Sequence, residues 1–297
     1  MNPVKSLYNY ARIAKVQRDT LIMIIGTNTA GVPINAKNNI SVAFGGGGSG
    51  GGFDKSGIKM YFHFEESSGN LINQATSANG FDDGLGSDSD GVASGSPSYS
   101  ETGKIDDAIE YAAASTTAST DYFTLGSDKD DFIFFTNDTN LTVAFWLKRS
   151  STTTAIQATF GNGEGGGTNG FGIRFFEGDG TKFMGRIENG SANSRIITSE
   201  GFAPNNTSTW YHYILTLDKD SGGVWTFYRD NANAETYTED LAWSAASPTN
   251  SPTVADNAGV SYIPSLTGLI DEFVVFTRII TEDERAYLYN SGDGQLI

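Results

Sequence analysis

The sequence predicts an all-β protein, an antiparallel sandwich or jelly roll, that follows a small N-terminal arm. Short runs of aromatic and β-branched residues recur along the chain, and segments rich in Gly, Asn, Asp and Ser separate them. Beyond the arm, a helical period is sustained only over residues 281–289. The arm and the rest of the chain also carry opposite net charges. Together these observations favour a β-sandwich body with a separate leader.

The composition excludes several classes of protein. The 297 residues are 38% hydrophobic, 12% aromatic and only 18% charged, which is typical of a folded chain and not of a disordered one. A net charge of −16 repels phosphate backbones and so argues against a nucleic-acid partner. The absence of Cys excludes disulfides, zinc–thiolate sites and thiol nucleophiles. Since the longest apolar run, residues 21–25, is far shorter than the roughly 18 residues of a membrane span, no membrane insertion is predicted.

The distribution of charge divides the chain into an arm, a linker and a body. Residues 1–44 have five basic side chains and one acidic side chain, which gives them a net charge of +4. Since the whole chain has a net charge of −16, the remaining residues have a net charge of −20. Residues 45–52 are glycine except for Ser49. We therefore predict an assembly arm over residues 1–44, a Gly-rich linker over 45–57 and a β-sandwich domain over 58–297.

The arm is predicted to need a partner surface. Val4, Leu7 and Ala11 lie at helical spacing and Pro3 suits a first helical turn, so we expect a short helix over residues 3–18. Short strands are expected at 21–25 and 40–44. Some 44 residues with these elements are too few to bury a self-sufficient core. No secretory signal is visible near the start of the sequence, so we expect either a cytoplasmic protein or one that reaches the outside by a route other than ordinary secretion.

The body is predicted to contain eight strands followed by a short helix at 281–289. Each strand is a run of aromatic and β-branched residues bounded by turn-forming residues. The predicted strands are residues 59–64, 121–125, 141–147, 172–176, 183–187, 210–217, 224–229 and 269–277.

Motifs in several of these strands follow one another in a characteristic order. The first reads Tyr-Phe-His-Phe-Glu-Glu-Ser-Ser-Gly, and the last reads Gly-Leu-Ile-Asp-Glu-Phe. The motifs lie at residues 61–69, 108–111, 121–123, 141–148, 209–213, 224–230 and 268–273. In this order they resemble the laminin-G-like domains of the concanavalin A-like superfamily, over residues 58–292. The resemblance implies a jelly roll of two curved antiparallel sheets whose first and last strands are adjacent. It does not fix an activity, because such sandwiches include glycan binders, adhesion modules and glycoside hydrolases.

Catalytic residues are not predicted. Hydrolytic members of the superfamily usually carry Glu-x-Asp-x-x-Glu along one strand, and this pattern is absent. Acidic pairs such as Asp82 and Asp83 lie in turn-rich stretches and are interpreted as solvated surface. The two histidines, His63 and His212, lie beside aromatic residues in predicted strands, where a structural role is the default. We therefore expect a protein that is not an enzyme and retain a divergent glycoside hydrolase as the third alternative.

The resemblance implies a structural Ca²⁺, which would take oxygen ligands. At the corresponding positions this sequence has Glu65 and Asn73, where the family often has Asp, and Asp271, which matches. The predicted metal ligands are therefore Glu65, Asn73 and Asp271. In the alternative interpretation, Asp271 and Glu272 hold the first and last strands together through polar contacts at the surface.

Glycan binding would need aromatic platforms at a sheet face or a loop rim. Trp146, Trp210 and Trp225 match core or inter-strand positions of the family and are interpreted as packing residues. Trp243 lies in a polar stretch and has no such explanation. The predicted ligand-binding residues are Trp243, Phe175, Phe176 and Tyr262.

An adhesion-type sandwich without disulfides, joined to a basic arm that needs a partner, is typical of bacteriophage virion proteins. The leading hypothesis is a virion surface protein: a head fibre, a decoration protein or a tail-associated adhesin. Residues 1–52 would dock on a capsid or tail protein, and the body would attach to a glycan or cell-surface receptor. A homotrimer would suit a fibre, although no heptad requires one. The alternative is a cellular laminin-G-like carbohydrate- or protein-binding module that reaches the extracellular space by a non-classical route.

Overall fold

The structure is a computed structural model, and it describes most of the chain beyond residue 52. The described residues are 53–112, 121–152, 156–163, 168–175, 180–190, 193–239, 246–256 and 266–297. The predicted arm and most of the predicted linker lie outside them, so the domain boundaries stay predictions. No helix in the described ranges is long and apolar enough to cross a membrane.

The described residues form fifteen strands and one α-helix. The strands are β1 Ile58–Phe62, β2 Gly91–Ser94, β3 Ser98–Thr102, β4 Asp107–Tyr111, β5 Tyr122–Leu125, β6 Leu141–Arg149, β7 Gln157–Gly161, β8 Asn169–Phe175, β9 Phe183–Asn189, β10 Asn193–Ile197, β11 Tyr211–Asp218, β12 Val224–Arg229, β13 Asn233–Thr238, β14 Thr253–Val254 and β15 Gly268–Phe276. The helix, α1, is Glu282–Tyr289, and short 3-10 turns include Ser77–Asn79, Gly86–Ser89 and Lys129–Phe135. All eight predicted strands and the predicted helix are confirmed, with small shifts at their ends.

The strands form two antiparallel sheets. The first sheet has the order β13-β12-β11-β6-β15-β4-β3, and β1 also pairs with β15. The second has the order β10-β9-β8-β7-β14-β5-β2. In β1 and β15, Tyr61 is opposite Val274 and Phe62 is opposite Phe273. The predicted jelly-roll sandwich, with its first and last strands adjacent, is therefore confirmed.

Aromatic rings fill the space between the two sheets. Phe273 of β15 packs on Phe145 of the same sheet at 5.9 Å between ring centroids and on Phe160 of the second sheet at 5.0 Å. Trp225 of the first sheet stacks on Phe171 of the second at 6.2 Å, with the rings nearly parallel at 5°. These rings are buried. Because buried aromatic side chains contribute large apolar areas, this layer accounts for much of the hydrophobic stabilisation.

Helix α1 lies against the outer face of the first sheet. Its Leu288 belongs to a buried cluster with Tyr61, Phe81, Val274 and Phe276. The helix begins at a capping box, in which the Thr281 hydroxyl accepts the Glu284 N–H and the Glu284 carboxylate accepts the Thr281 N–H. Part of the outer face of this sheet is therefore buried beneath the helix.

One glycine determines how closely the sheets approach. A Cβ on Gly185 of β9 would lie 2.6 Å from a ring carbon of Trp225 and 3.1 Å from Phe227. We expect Gly185→Ala to lower the free energy of unfolding by about 1–3 kcal/mol, because the added methyl must displace a buried indole. Urea unfolding followed by tryptophan fluorescence measures this change. The control is Val92→Ala at a side chain that is 57% exposed, which should change stability by no more than about 0.5 kcal/mol. Equal stabilities of wild type and Gly185→Ala would contradict the prediction.

Candidate functional site

The central strand β15 contains a bulge at two acidic residues. Its register against β6 shifts between Asp271 and Val274, and Glu272 has a left-handed backbone with φ of 48°. Asp271 is 0% exposed and Glu272 is 6% exposed. Since buried carboxyl groups are uncommon without partners, their contacts determine what this pair can do.

Both carboxyl groups of this acidic bulge bind other parts of the chain. Asp271 Oδ2 accepts the backbone N–H groups of Lys104 and Ile105, at 2.7 and 2.9 Å. Glu272 Oε2 accepts the hydroxyl of Tyr61 at 2.5 Å, and that hydroxyl accepts the N–H of Ile297 at 3.0 Å. The pair therefore ties β15 to β1, to the turn before β4 and to the last residue. The interpretation of Asp271 and Glu272 as strand ties agrees with these contacts, although the contacts are buried and not at the surface.

The remaining oxygens of the pair are sealed from solvent. Asp271 Oδ1 and Glu272 Oε1 are buried, and within the part of the chain that the structure describes neither has a hydrogen-bond partner. Burial, reinforced by the negative charge of Glu65, raises the pKa of Asp271 to about 7. Burial, reinforced by Asp271, raises the pKa of Glu272 to about 9. His63 Nδ1 lies 3.8 Å from Glu272 Oε1, and burial lowers its pKa, which favours the neutral imidazole.

The residues predicted to hold Ca²⁺ do not fit a metal site as a set. The Asn73 side-chain oxygen accepts the N–H groups of Tyr61 and Ala75, and its amide donates to Ser89 Oγ at 2.8 Å. Asn73 is therefore a structural residue and was wrongly predicted as a ligand. Glu65 accepts the N–H of Asp107 with both oxygens. Within the described ranges, no three acidic or histidine side chains are arranged to hold a metal. Calcium binding itself stays a prediction, without this ligand set.

The structure describes one of the four aromatic residues that were predicted to bind a ligand. Phe175 is 0% exposed, so its assignment to a ligand-contacting surface was wrong. Its ring lies in the core, 4.7 Å from the ring of Phe183 and 4.5 Å from the Arg149 guanidinium. The other three residues, Trp243, Phe176 and Tyr262, lie outside the described residues and stay predictions. The packing roles of Trp146 and Trp225 are confirmed, since both are buried.

An open cleft with a volume of about 410 Å³ lies at the start of the body, where the sequence was interpreted as solvated surface. It lies between the segment that leads into β1 and the turn after the Ser77–Asn79 3-10 helix. Its lining combines one aromatic ring with several polar groups: Phe53, Asp54, Lys55, Ser56, Gly80, Asp82 and Asp83. We call it the Phe53 cleft. Only the adjacent acidic pair Asp82 and Asp83 could have indicated it from the sequence.

The walls of the Phe53 cleft are fixed by buried and hydrogen-bonded groups. The ring of Phe81 is 2% exposed and anchors the turn, and Lys55 Nζ lies 4.3 Å above it while donating to the Asn79 carbonyl at 3.1 Å. Asp83 Oδ2 accepts the Gly57 N–H at 2.9 Å, which joins the turn to the other wall. Since both walls are joined by these contacts, the cleft is largely formed before any ligand binds.

An aromatic pair borders the Phe53 cleft. The rings of Phe53 and Tyr287 are 5.0 Å apart and inclined by 38°, and Phe53 also contacts Phe276 at 6.1 Å. Tyr287 is 39% exposed, so part of this pair faces water. The cleft therefore offers an apolar platform beside carboxylate acceptors.

Two antiparallel sheets packed face to face as a jelly roll are the architecture of concanavalin A-like β-sandwich proteins. The family model described as the concanavalin A-like lectin/glucanases superfamily, of laminin-G type, matches residues 115–284. The match covers more than half of the chain, which therefore belongs to this family. No curated protein matches the sequence.

Solved structures share the fold at low sequence identity. The binding domain of botulinum neurotoxin serotype C1 matches with a TM-score of 0.56 and 10% identity, over 79% of this chain and 52% of that one. The binding domain of Paraclostridial Mosquitocidal Protein 1 matches with a TM-score of 0.55 and 14% identity, over 79% and 52%. A third structure, with a TM-score of 0.54 and 10% identity over 79% and 51%, concerns botulinum neurotoxin type C, whose cell entry depends on two ganglioside molecules. This chain therefore spans about half the length of these structures, and the likeness shows the fold alone.

The raised pKa values of the two residues of the acidic bulge should make the stability of the fold depend on pH. The pKa values of Asp271 and Glu272 are raised from 3.8 and 4.5 to about 7 and about 9, so both groups hold a proton more tightly in the folded state. Their contribution to stability is present below the unfolded values and is lost as the pH rises through the folded ones. We expect urea unfolding at pH 5, 7 and 9 to show this loss as a fall in the free energy of unfolding.

Matched variants separate this effect from other titrations. Glu272→Gln keeps an acceptor for Tyr61 but cannot ionise, so its stability should fall less than that of the wild type between pH 5 and pH 9. Glu282→Gln changes an exposed carboxylate in α1 and should follow the wild type. The same slope in wild type and Glu272→Gln would show that this group does not gain a proton on folding.

Proposed function

We propose that the protein is a non-enzymatic binding module that attaches to a glycan or another cell-surface ligand. The observation that carries the proposal is the burial of Asp271 and Glu272. Their free oxygens have no contact with solvent, whereas a hydrolytic carboxylate pair must reach the scissile bond. The family contains both lectins and glucanases, and the acidic bulge serves the fold instead of an exposed reaction centre. The Phe53 cleft, by contrast, is open.

The similar structures support a cell-surface ligand. Cell entry of botulinum neurotoxin type C depends on two ganglioside molecules, and the binding domain of botulinum neurotoxin DC, a further similar structure with a TM-score of 0.53 and 10% identity, was solved in complex with rat synaptotagmin II. A jelly roll can present binding groups on its loops without changing its core, which explains how one fold serves many ligands. For this chain we infer the general class of ligand and not those particular molecules.

We further propose that the protein acts on a virion surface. The support comes from the sequence: residues 1–44 have a charge of +4 beside a body of −20, and the arm is too small to bury its own core. Residues 1–52 would dock on a capsid or tail protein, while the sandwich faces the medium. An acidic body would remain well separated from a second acidic body by repulsion, which suits display on a crowded particle.

The binding function is tested with the full-length chain on an array of neutral and sialylated glycans and on a panel of polysaccharides. We expect binding to a subset of glycans and no release of reducing ends from the polysaccharides. An inactive array would contradict glycan attachment. Hydrolysis that one carboxylate substitution abolishes would instead support the alternative of a divergent glycoside hydrolase.

Deletion of residues 1–44 tests the virion proposal. If the arm is the anchor, the shortened chain should remain soluble and bind the same glycans, but it should be lost from particles purified from the lysate of a producing host. The full-length chain, followed by immunoblotting of the same gradient fractions, is the control. Retention of the shortened chain on particles would contradict the role of the arm as the anchor. Absence of both chains from particles would favour a free laminin-G-like module.

A further inference from the structure

The Phe53 cleft has the chemistry of a small polar ligand site. Its volume of about 410 Å³ lies toward the lower end of the range for small-molecule sites. The ring of Phe53 supplies an apolar surface and packs against the rings of Phe276 and Tyr287. A sugar ring has an apolar face of C–H groups that can pack on such a surface, and its hydroxyls point outward.

Carboxylate oxygens lie beside this platform. Within the described ranges, Asp82 has no hydrogen-bond or ion-pair partner, and Asp83 uses only Oδ2, for the Gly57 N–H. Ionised carboxylates only accept hydrogen bonds, and one carboxylate can accept two. Neighbouring hydroxyls of a sugar are donors at a suitable spacing for such a group. The cleft therefore pairs an apolar face with acceptors, as a sugar requires.

The charge of the cleft limits which sugars it can accept. Asp54, Asp82 and Asp83 face a single lysine of the lining, Lys55, whose ammonium group already donates to the Asn79 carbonyl. Arg278 lies beside the cleft, with its guanidinium 3.6 Å from Asp54 Oδ2, and donates to the Asp54 carbonyl at 2.8 Å and to the Glu284 carboxylate. The charge of Asp54 is therefore partly offset, and the negative charge of the lining comes mainly from Asp82 and Asp83. An acidic sugar would bring a carboxylate toward this negative lining and toward a body of net charge −20.

We propose that the Phe53 cleft binds an uncharged sugar, which stacks on Phe53 and donates hydroxyl hydrogen bonds to Asp82 and Asp83. The inference rests on the proposed glycan-binding function and adds its location and its class of ligand. Sialylated glycans are excluded by charge. Because the sugar carries no charge, its affinity should change little with salt, whereas a cationic ligand would lose affinity as salt screens the carboxylates.

The test uses the full-length chain and four variants on the same array of neutral and sialylated oligosaccharides. Phe53→Ala removes the platform, and Phe53→Tyr keeps it. Asp82→Asn removes an exposed carboxylate that has no partner among the described residues, and Asp88→Asn makes the same change at an exposed residue outside the cleft lining. Thermal melting of each variant confirms that it is folded. Titration calorimetry with the best neutral glycan, at low and high salt, then gives the affinities.

The wild type should bind neutral glycans and not sialylated ones. Phe53→Ala and Asp82→Asn should each weaken binding by about tenfold, while Phe53→Tyr and Asp88→Asn should bind like the wild type. Neutral-glycan binding that survives both Phe53→Ala and Asp82→Asn would overturn the cleft as its location and leave the proposed function intact. Preference for sialylated or amine-bearing glycans would overturn the class of ligand. If no glycan binds to any form of the chain, the proposed function itself fails.

Discussion

The sandwich depends on a single strand, β15, that must pair on both sides and still accommodate two acidic side chains. Along one edge it pairs with β6, and along the other it pairs with β4 in its first part and with β1 in its second. The bulge at Asp271 and Glu272 lies between these two partners. There, side-chain oxygens accept N–H and O–H groups from the segments that meet at this point. A substitution at this position therefore affects several strands at once.

The aromatic layer holds the two sheets against each other, whereas the acidic bulge holds strands in place within one sheet. Phe145, Phe160 and Phe273 hold the two sheets face to face through apolar contact, which has little directional preference. The hydrogen bonds of the bulge fix the position of strands within one sheet. Register is strongly specified in such a sheet, because a slip by one residue would turn Phe273 outward and a carboxylate inward. Helix α1 then packs on the outer face of the sheet that contains the bulge.

The sequence was sufficient to predict the class of fold, since eight strands have strong β-forming runs and their motifs follow one order. Strands such as β2, β3 and β13 were not predicted, because they are short and polar and form only through pairing with neighbours. Phe175 and Phe176 were both placed at the surface, although neighbouring residues of a strand face opposite sides and one of them had to turn inward. The burial of Asp271 and Glu272 could not be predicted, because carboxylates are normally exposed. The Phe53 cleft joins residues about 30 positions apart, which only tertiary packing brings together.

The raised proton affinity of Glu272 also connects folding with the composition of the solution. Near neutral pH the folded chain retains a proton there that the unfolded chain releases, so folding consumes hydrogen ions supplied by the buffer. The heat recorded in a calorimeter then includes the ionisation of that buffer. The dependence of the unfolding enthalpy on the buffer, phosphate or Tris, should therefore differ between the wild type and Glu272→Gln, since only the wild type takes up a hydrogen ion at this position.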